Sequence, residues 1–61
     1  MNTTKKIRKN CELLANALLG KSTAKKWWES PNKAFDLKTP NQQWKIDPQS
    51  VYQYLLDASS L

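Results

Sequence analysis

Between Lys5 and Leu19 the apolar residues Ile7, Cys11, Leu14 and Leu18 recur at i, i+4, i+7 and i+11. That spacing lays them along one stripe of an α-helix. Leu13, Ala17 and Leu19 widen the apolar arc towards its end. Gly20, the only glycine in the chain, follows at the position where a left-handed residue commonly stops a helix. The pattern predicts a long first helix over about residues 4–19, after a short frayed start at Met1 to Thr4 in which Thr3 or Thr4 supplies the cap.

The next segment, STAKKWWE, opens on Ser22 as a candidate cap and is stopped by Pro31. Ala24 and Trp28 share a face, and Trp27 lies about 100° round from Trp28, so only one of the two indoles can enter the same small core. The connector 32–38 contains Asn32, which can cap a single turn, and Phe35 and Leu37, which read as inward anchors. It has no glycine, so a tight turn there must use Asp36 or another side chain. Thr39-Pro40-Asn41-Gln42 is a capping box with proline at the first helical position. It opens a short helix to about Lys45 anchored by Trp44. Asp47-Pro48 repeats the same start signal for a helix to about Ala58. Val51, Leu55 and Ala58 form its main stripe, Tyr54 and Leu61 extend that stripe, and Tyr52 and Leu56 occupy an adjoining face.

No stretch alternates with the period of a strand, and β-branched residues are scarce. The expected fold is therefore all-α: a small bundle of one long N-terminal helix plus three short helices. Residues 1–61 make a single domain, with 1–20 as the N-terminal helix and 22–58 as the remaining module. A domain of roughly 60 residues buries only about 60% of the surface its unfolded chain exposes. With one cysteine and no histidine, no internal disulfide or zinc site can staple it. Three tryptophans and Phe35 must supply much of the core, and any of them left outside becomes a candidate contact surface.

The net charge of +5 is unevenly placed. Residues 1–26 hold seven basic residues against Glu12, whereas 27–61 hold three against four acidic ones. Lys5, Lys6, Arg8, Lys9, Lys25 and Lys26 form a candidate basic patch that suits an acidic partner or nucleic acid, and equally a solvated face. Lys25 and Lys26 beside Trp27 and Trp28 pair cations with aromatic rings, as single-strand binders do. One arginine and no helix-turn-helix pattern argue against base readout. Catalysis is not expected: there is no histidine for a triad and no glycine-rich phosphate loop. Cys11 sits on the apolar stripe, where a thiol is structural, and no carboxylates show paired spacing. No cofactor or metal is expected. No apolar run approaches the roughly 20 residues needed to span a bilayer, and the apolar stretch after the basic start is too interrupted for a secretory signal. A cytoplasmic location is the expectation.

The order A-x-x-W-W-x-S-P-N-x-x-F, T-P, W, D-P-x-x-V-x-x-Y-L resembles the C-terminal toxin-binding domain of Xre/MbcA/ParS-type antitoxins. Here it is carried by Ala24, Trp27, Trp28, Pro31, Asn32, Phe35, Thr39, Pro40, Trp44, Val51, Tyr54 and Leu55, and it covers roughly residues 22–58. The resemblance implies an all-helical module that neutralises a cognate toxin, often a NAD-degrading enzyme of the RES type, with the end of the module blocking the toxin's active site. It would put Tyr52, Leu56, Ser59, Ser60 and Leu61 near a protein partner; Trp27 is a further candidate partner contact, because one of the two adjacent indoles must lie outside the core. The chain departs from the family in having one helix where a helix-turn-helix usually precedes the module, and Asp36-Leu37 where glycine is common. The functional expectation is an antitoxin-like inhibitor of a toxin or enzyme. The alternatives are a phage-type inhibitor of another host enzyme and a small basic nucleic-acid-binding protein. The broad apolar arc of the first helix makes self-association a further expectation.

Overall fold

The computed structural model describes residues 3–60. Four helices follow in order: α1 (Thr3–Leu19), α2 (Lys21–Trp28), α3 (Pro40–Ile46) and α4 (Pro48–Ser59), with a single 3₁₀ turn at Lys33–Phe35 between α2 and α3. There is no strand among the described residues, and the all-α architecture read from the sequence holds. The frayed start expected at Met1 and Asn2, and the place of Leu61 on the last helix, lie outside the described residues.

α1 is the central element and packs against both α2 and α4. Its buried line is Cys11 and Ala15, with Ile7 and Leu14 packed at the margin. Leu18, expected on the inner stripe, is 40% exposed. The fully buried positions of α1 are its small residues, Cys11 and Ala15, whose narrow side chains leave room for α2 and α4 to pack against it. Ala24 of α2 plays the same part from the other side.

Gly20 ends α1 and starts α2 in one residue. Its N–H donates to the Asn16 carbonyl at 2.8 Å, and its carbonyl accepts from Ala24 N–H at 2.8 Å. Its φ of 83° and ψ of 151° lie in a region essentially open to glycine alone, not in the left-handed helical well expected from a simple C-terminal stop. The cap of α2 is therefore Gly20, and Ser22, expected to cap it, lies within the first turn with no capping bond.

The remaining punctuation follows the sequence closely. Asn32 accepts from Ala34 N–H at 2.9 Å and starts the 3₁₀ turn. Asp36 and Leu37 then take positive φ, 57° and 67°, to reverse the chain without glycine. Leu37, expected to point inward, is 65% exposed: the left-handed backbone turns its side chain away from the core that holds Phe35. Thr39 and Gln42 complete the capping box of α3 in both directions. Asp47 closes α3 with its N–H on the Gln43 carbonyl and opens α4 with its carboxylate on Gln49 N–H. Gln43 Nε2 also donates to Ser50 Oγ, whose hydroxyl donates to the Asp47 carbonyl, so the α3–α4 corner is braced from both sides.

The core joins Trp28 and Phe35 to Val51 and Leu55 of α4 and the small residues of α1 and α2. Trp28 meets Trp44 edge-on, with ring centres 6.4 Å apart. Phe35 meets Tyr54 edge-on at 5.2 Å. Such edge-to-face pairs contribute about 0.5–1.5 kcal/mol each beyond area burial, which matters in a domain this small.

Candidate docking surface

Trp28 is the buried indole of the adjacent pair, at 7% exposure. Trp27 is half-buried, edge-on to Trp28 at 5.0 Å and stacked on Tyr54 at 5.9 Å. Together with Leu18, Leu19, Leu55 and Ala58 these two rings line an apolar cleft where α1, α2 and α4 meet. Tyr52 and Leu56 do not share that cleft. They line a second one, with Asn10, Leu13, Leu14 and Ala17, along the groove between α1 and α4. Leu13 stands on its rim at 57% exposure.

The partner-facing residues expected from the sequence therefore divide between two clefts on either side of the second half of α4. Ser59 and Ser60, at the end of that helix, are exposed. Both hydroxyls donate to the Leu56 carbonyl, at 2.8 and 2.9 Å, and so help finish the helix. Leu61 lies outside the described residues. Leu18 and Leu19 belong to the apolar arc of α1 on which the sequence expectation of self-association rests, whereas Ala58 reads from the sequence only as part of the inner stripe of α4. Nothing in their local pattern separates an open cleft from a core, because that depends on how far α2 closes over α1.

The candidate basic patch is smaller than the charge pattern suggests. Lys5, Lys6, Lys9, Lys25 and Lys26 are exposed. Arg8 is not part of such a free surface. Its guanidinium lies over the Trp28 ring, its Nη2 donates to Asn41 Oδ1 at 2.8 Å and its Nε donates to Glu12 Oε2 at 2.9 Å. Arg8 shares a shallow polar cleft with Lys21 and Lys25, but Glu12 and Glu29 line it too, so its walls carry mixed charge.

Cys11 is fully buried in the core face of α1, within reach of the charges of Arg8 and Glu12. Burial pushes its thiol above the ordinary range; the Arg8 charge draws it back and the Glu12 carboxylate pushes it further up. A protonated, enclosed thiol is a packing group. Among the described residues no cluster of cysteine and carboxylate side chains is placed to hold a metal ion, and no helix is long and apolar enough to cross a membrane. Comparison with protein-family models, with curated proteins and with solved structures finds no match.

Proposed function

We propose that this chain is a small antitoxin-like inhibitor that neutralises a partner toxin or enzyme in the cytoplasm by direct docking. The observation that carries this reading is the pair of apolar clefts flanking α4, which leaves Tyr52 and Leu56 open on one side and Trp27 on the other. Partly exposed aromatic and aliphatic side chains beside well-packed helices are the usual anchors of a protein interface.

Two local features support the antitoxin resemblance. The Thr39 capping box and the Asp47-Pro48 start hold α3 and α4 at one corner, so the spacing of the resembling motif has a structural use. Asp36 and Leu37, standing where the family commonly has glycine, both adopt positive φ. The turn thus has the backbone that glycine would take most readily.

Nucleic-acid binding draws less support, because the single arginine is engaged by Trp28, Asn41 and Glu12 and leaves only lysines for phosphate. The test is growth rescue on co-expression with a panel of RES-type NAD-degrading toxins, using wild type, Tyr52→Ser and Leu56→Ser. Rescue by wild type, weakened in both variants at unchanged helicity by circular dichroism, is expected. Absence of rescue, together with oligonucleotide binding that collapses steeply with salt, would transfer the function to phosphate contacts.

A further inference from the structure

We propose that Trp44, Trp28, Trp27 and Tyr54 form a relay that carries a one-electron oxidation from Trp44 through the core to Tyr54. The rings follow one another without a break. Trp44 and Trp28 have centres 6.4 Å apart, Trp28 and Trp27 5.0 Å, and Trp27 and Tyr54 5.9 Å. Each spacing lies within the range of directly interacting rings, roughly 4.5–7 Å. The middle ring, Trp28, is buried, whereas Trp44, Trp27 and Tyr54 are half-buried, so the series meets solvent at both ends. Phe35 also touches Tyr54 edge-on, but an unsubstituted phenyl ring is too hard to oxidise to extend the series. Tyr52 lines the α1–α4 groove, away from it.

Two features give the relay a direction. The Arg8 guanidinium stands 3.8 Å from the centre of Trp28 and 5.3 Å from that of Trp44, and among the described residues these are the rings with a cation over them. A cation attracts a neutral indole face but repels an indole that has lost an electron. The missing electron is therefore disfavoured on Trp44 and Trp28 relative to Trp27 and Tyr54. Glu12, paired with Arg8 Nε, reduces this bias. The phenol supplies the rest, because Tyr54 can release its hydroxyl proton to water as it gives up an electron, leaving a neutral radical. The oxidant is an oxygen- or nitrogen-centred radical from solution, reduced by one electron taken from Trp44. An electron then moves from Trp28 to Trp44, from Trp27 to Trp28 and from Tyr54 to Trp27. The Tyr54 O–H bond alone is broken, and every indole ends as it began. Ascorbate can restore the phenol by returning one electron and one proton. The relay thus diverts damage from Trp28, on which the core depends, to a side chain that solution reductants can repair.

This inference does not depend on the inhibitor reading, which growth rescue tests separately. Its own test is pulse radiolysis of the full chain with azidyl radical as the oxidant, following the tryptophanyl and tyrosyl absorption bands. The tryptophanyl signal is expected to decay as the tyrosyl signal grows, at one first-order rate that does not change with protein concentration. Tyr54→Phe keeps the ring contacts and should abolish the growth, whereas Tyr52→Phe should leave it intact. Trp27→Phe puts a ring that does not oxidise in the middle of the series and should slow the growth several-fold. Circular dichroism checks that each variant keeps its helices. A growth rate proportional to protein concentration overturns the proposal, because the electron then passes between molecules. So does a wild-type chain with no tyrosyl growth, growth that survives Tyr54→Phe, or a wild-type rate in Trp27→Phe.

Discussion

The Arg8 guanidinium lies 3.8 Å above the centre of the Trp28 ring. The same group reaches the α3 start through Asn41, 33 residues away in sequence, and the Trp44 ring at 5.3 Å. One cation therefore ties α1 to α2 and α3 over the top of the indole core. A planar guanidinium can stack on a ring and donate in its own plane at the same time, which an ammonium cannot do. Replacing Arg8 by Ala is expected to cost about 1–3 kcal/mol, from the lost ring contact and a charge-assisted hydrogen bond. Arg8→Lys should recover only a minor part. Urea titration followed by tryptophan fluorescence measures both. Equal stability of Arg8→Lys and wild type would show that charge alone, without stacking, is what matters.

Gly20 has nothing within 4 Å of the position a Cβ would take, so crowding does not forbid a side chain. The restriction is in its backbone, at φ 83° and ψ 151°. Gly20→Ala is expected to destabilise the fold by ~1–3 kcal/mol through backbone strain alone. For a domain of this size each kcal/mol lowers the melting temperature by about 4–8 °C, well within reach of a thermal scan. A neutral Gly20→Ala would mean that α1 and α2 can be joined by another backbone path.

Leu37 is the opposite case. Its φ is 67° and its side chain is largely exposed, so it bears the strain of a left-handed residue with little packing in return. The strain in such a residue is about 1–2 kcal/mol, offset in part by the greater freedom glycine gives the unfolded chain. Leu37→Gly should therefore stabilise the domain by roughly 0.5–1 kcal/mol, seen as a higher urea midpoint with unchanged slope. A loss of stability would indicate that Leu37 makes contacts its exposure does not suggest.

Those two positions also mark how far the fold was legible in the sequence. Caps are local chemistry, and Asn32, Thr39 and Asp47 were readable because each acts on N–H groups two or three residues away. That any tight turn in 32–38 must use Asp36 or another non-glycine residue was legible, but that Leu37 would share the positive φ and point outward was not. Arg8 read as surface charge because nothing near it in sequence announces Trp28 and Asn41. Likewise Leu13 and Tyr52 each lay on a recognisable helix face. That the two faces line one groove depends on the packing of α1 against α4, which no local pattern encodes.

Cys11 supplies a pH dependence with a definite direction. Burial raises its thiol in the folded state, so the native chain holds the proton more tightly than the unfolded chain does. Its contribution is complete below the unfolded thiol pKa of about 8.5 and is lost as pH rises through the higher folded value. Wild type should lose stability on that alkaline limb by more than Cys11→Ala does, with the variant's cavity cost appearing as a constant offset. Urea midpoints from about pH 7 to about pH 10 for the two proteins make the comparison, since shared lysine and tyrosine titrations cancel. Parallel curves would mean that the thiol is as free to ionise folded as unfolded.

The neighbouring indoles should behave very differently on removal. Trp28 is buried, carries Arg8 on its face and meets Trp44 edge-on. Truncating such a residue costs about 3–5 kcal/mol, against a total of about 3–9 kcal/mol for a chain this short. Trp28→Ala should leave little folded protein at room temperature, visible as a collapse of the helical circular dichroism signal. Trp27 is half-buried and stacked on Tyr54, so Trp27→Ala should cost only about 1–2 kcal/mol and keep the helices. Trp27→Ala can therefore be carried into the growth-rescue assay, where weaker protection at retained helicity would assign Trp27 to the contact surface. If Trp27→Ala unfolds the chain and Trp28→Ala does not, the two rings have exchanged places and the cleft at Trp27 is not a surface feature.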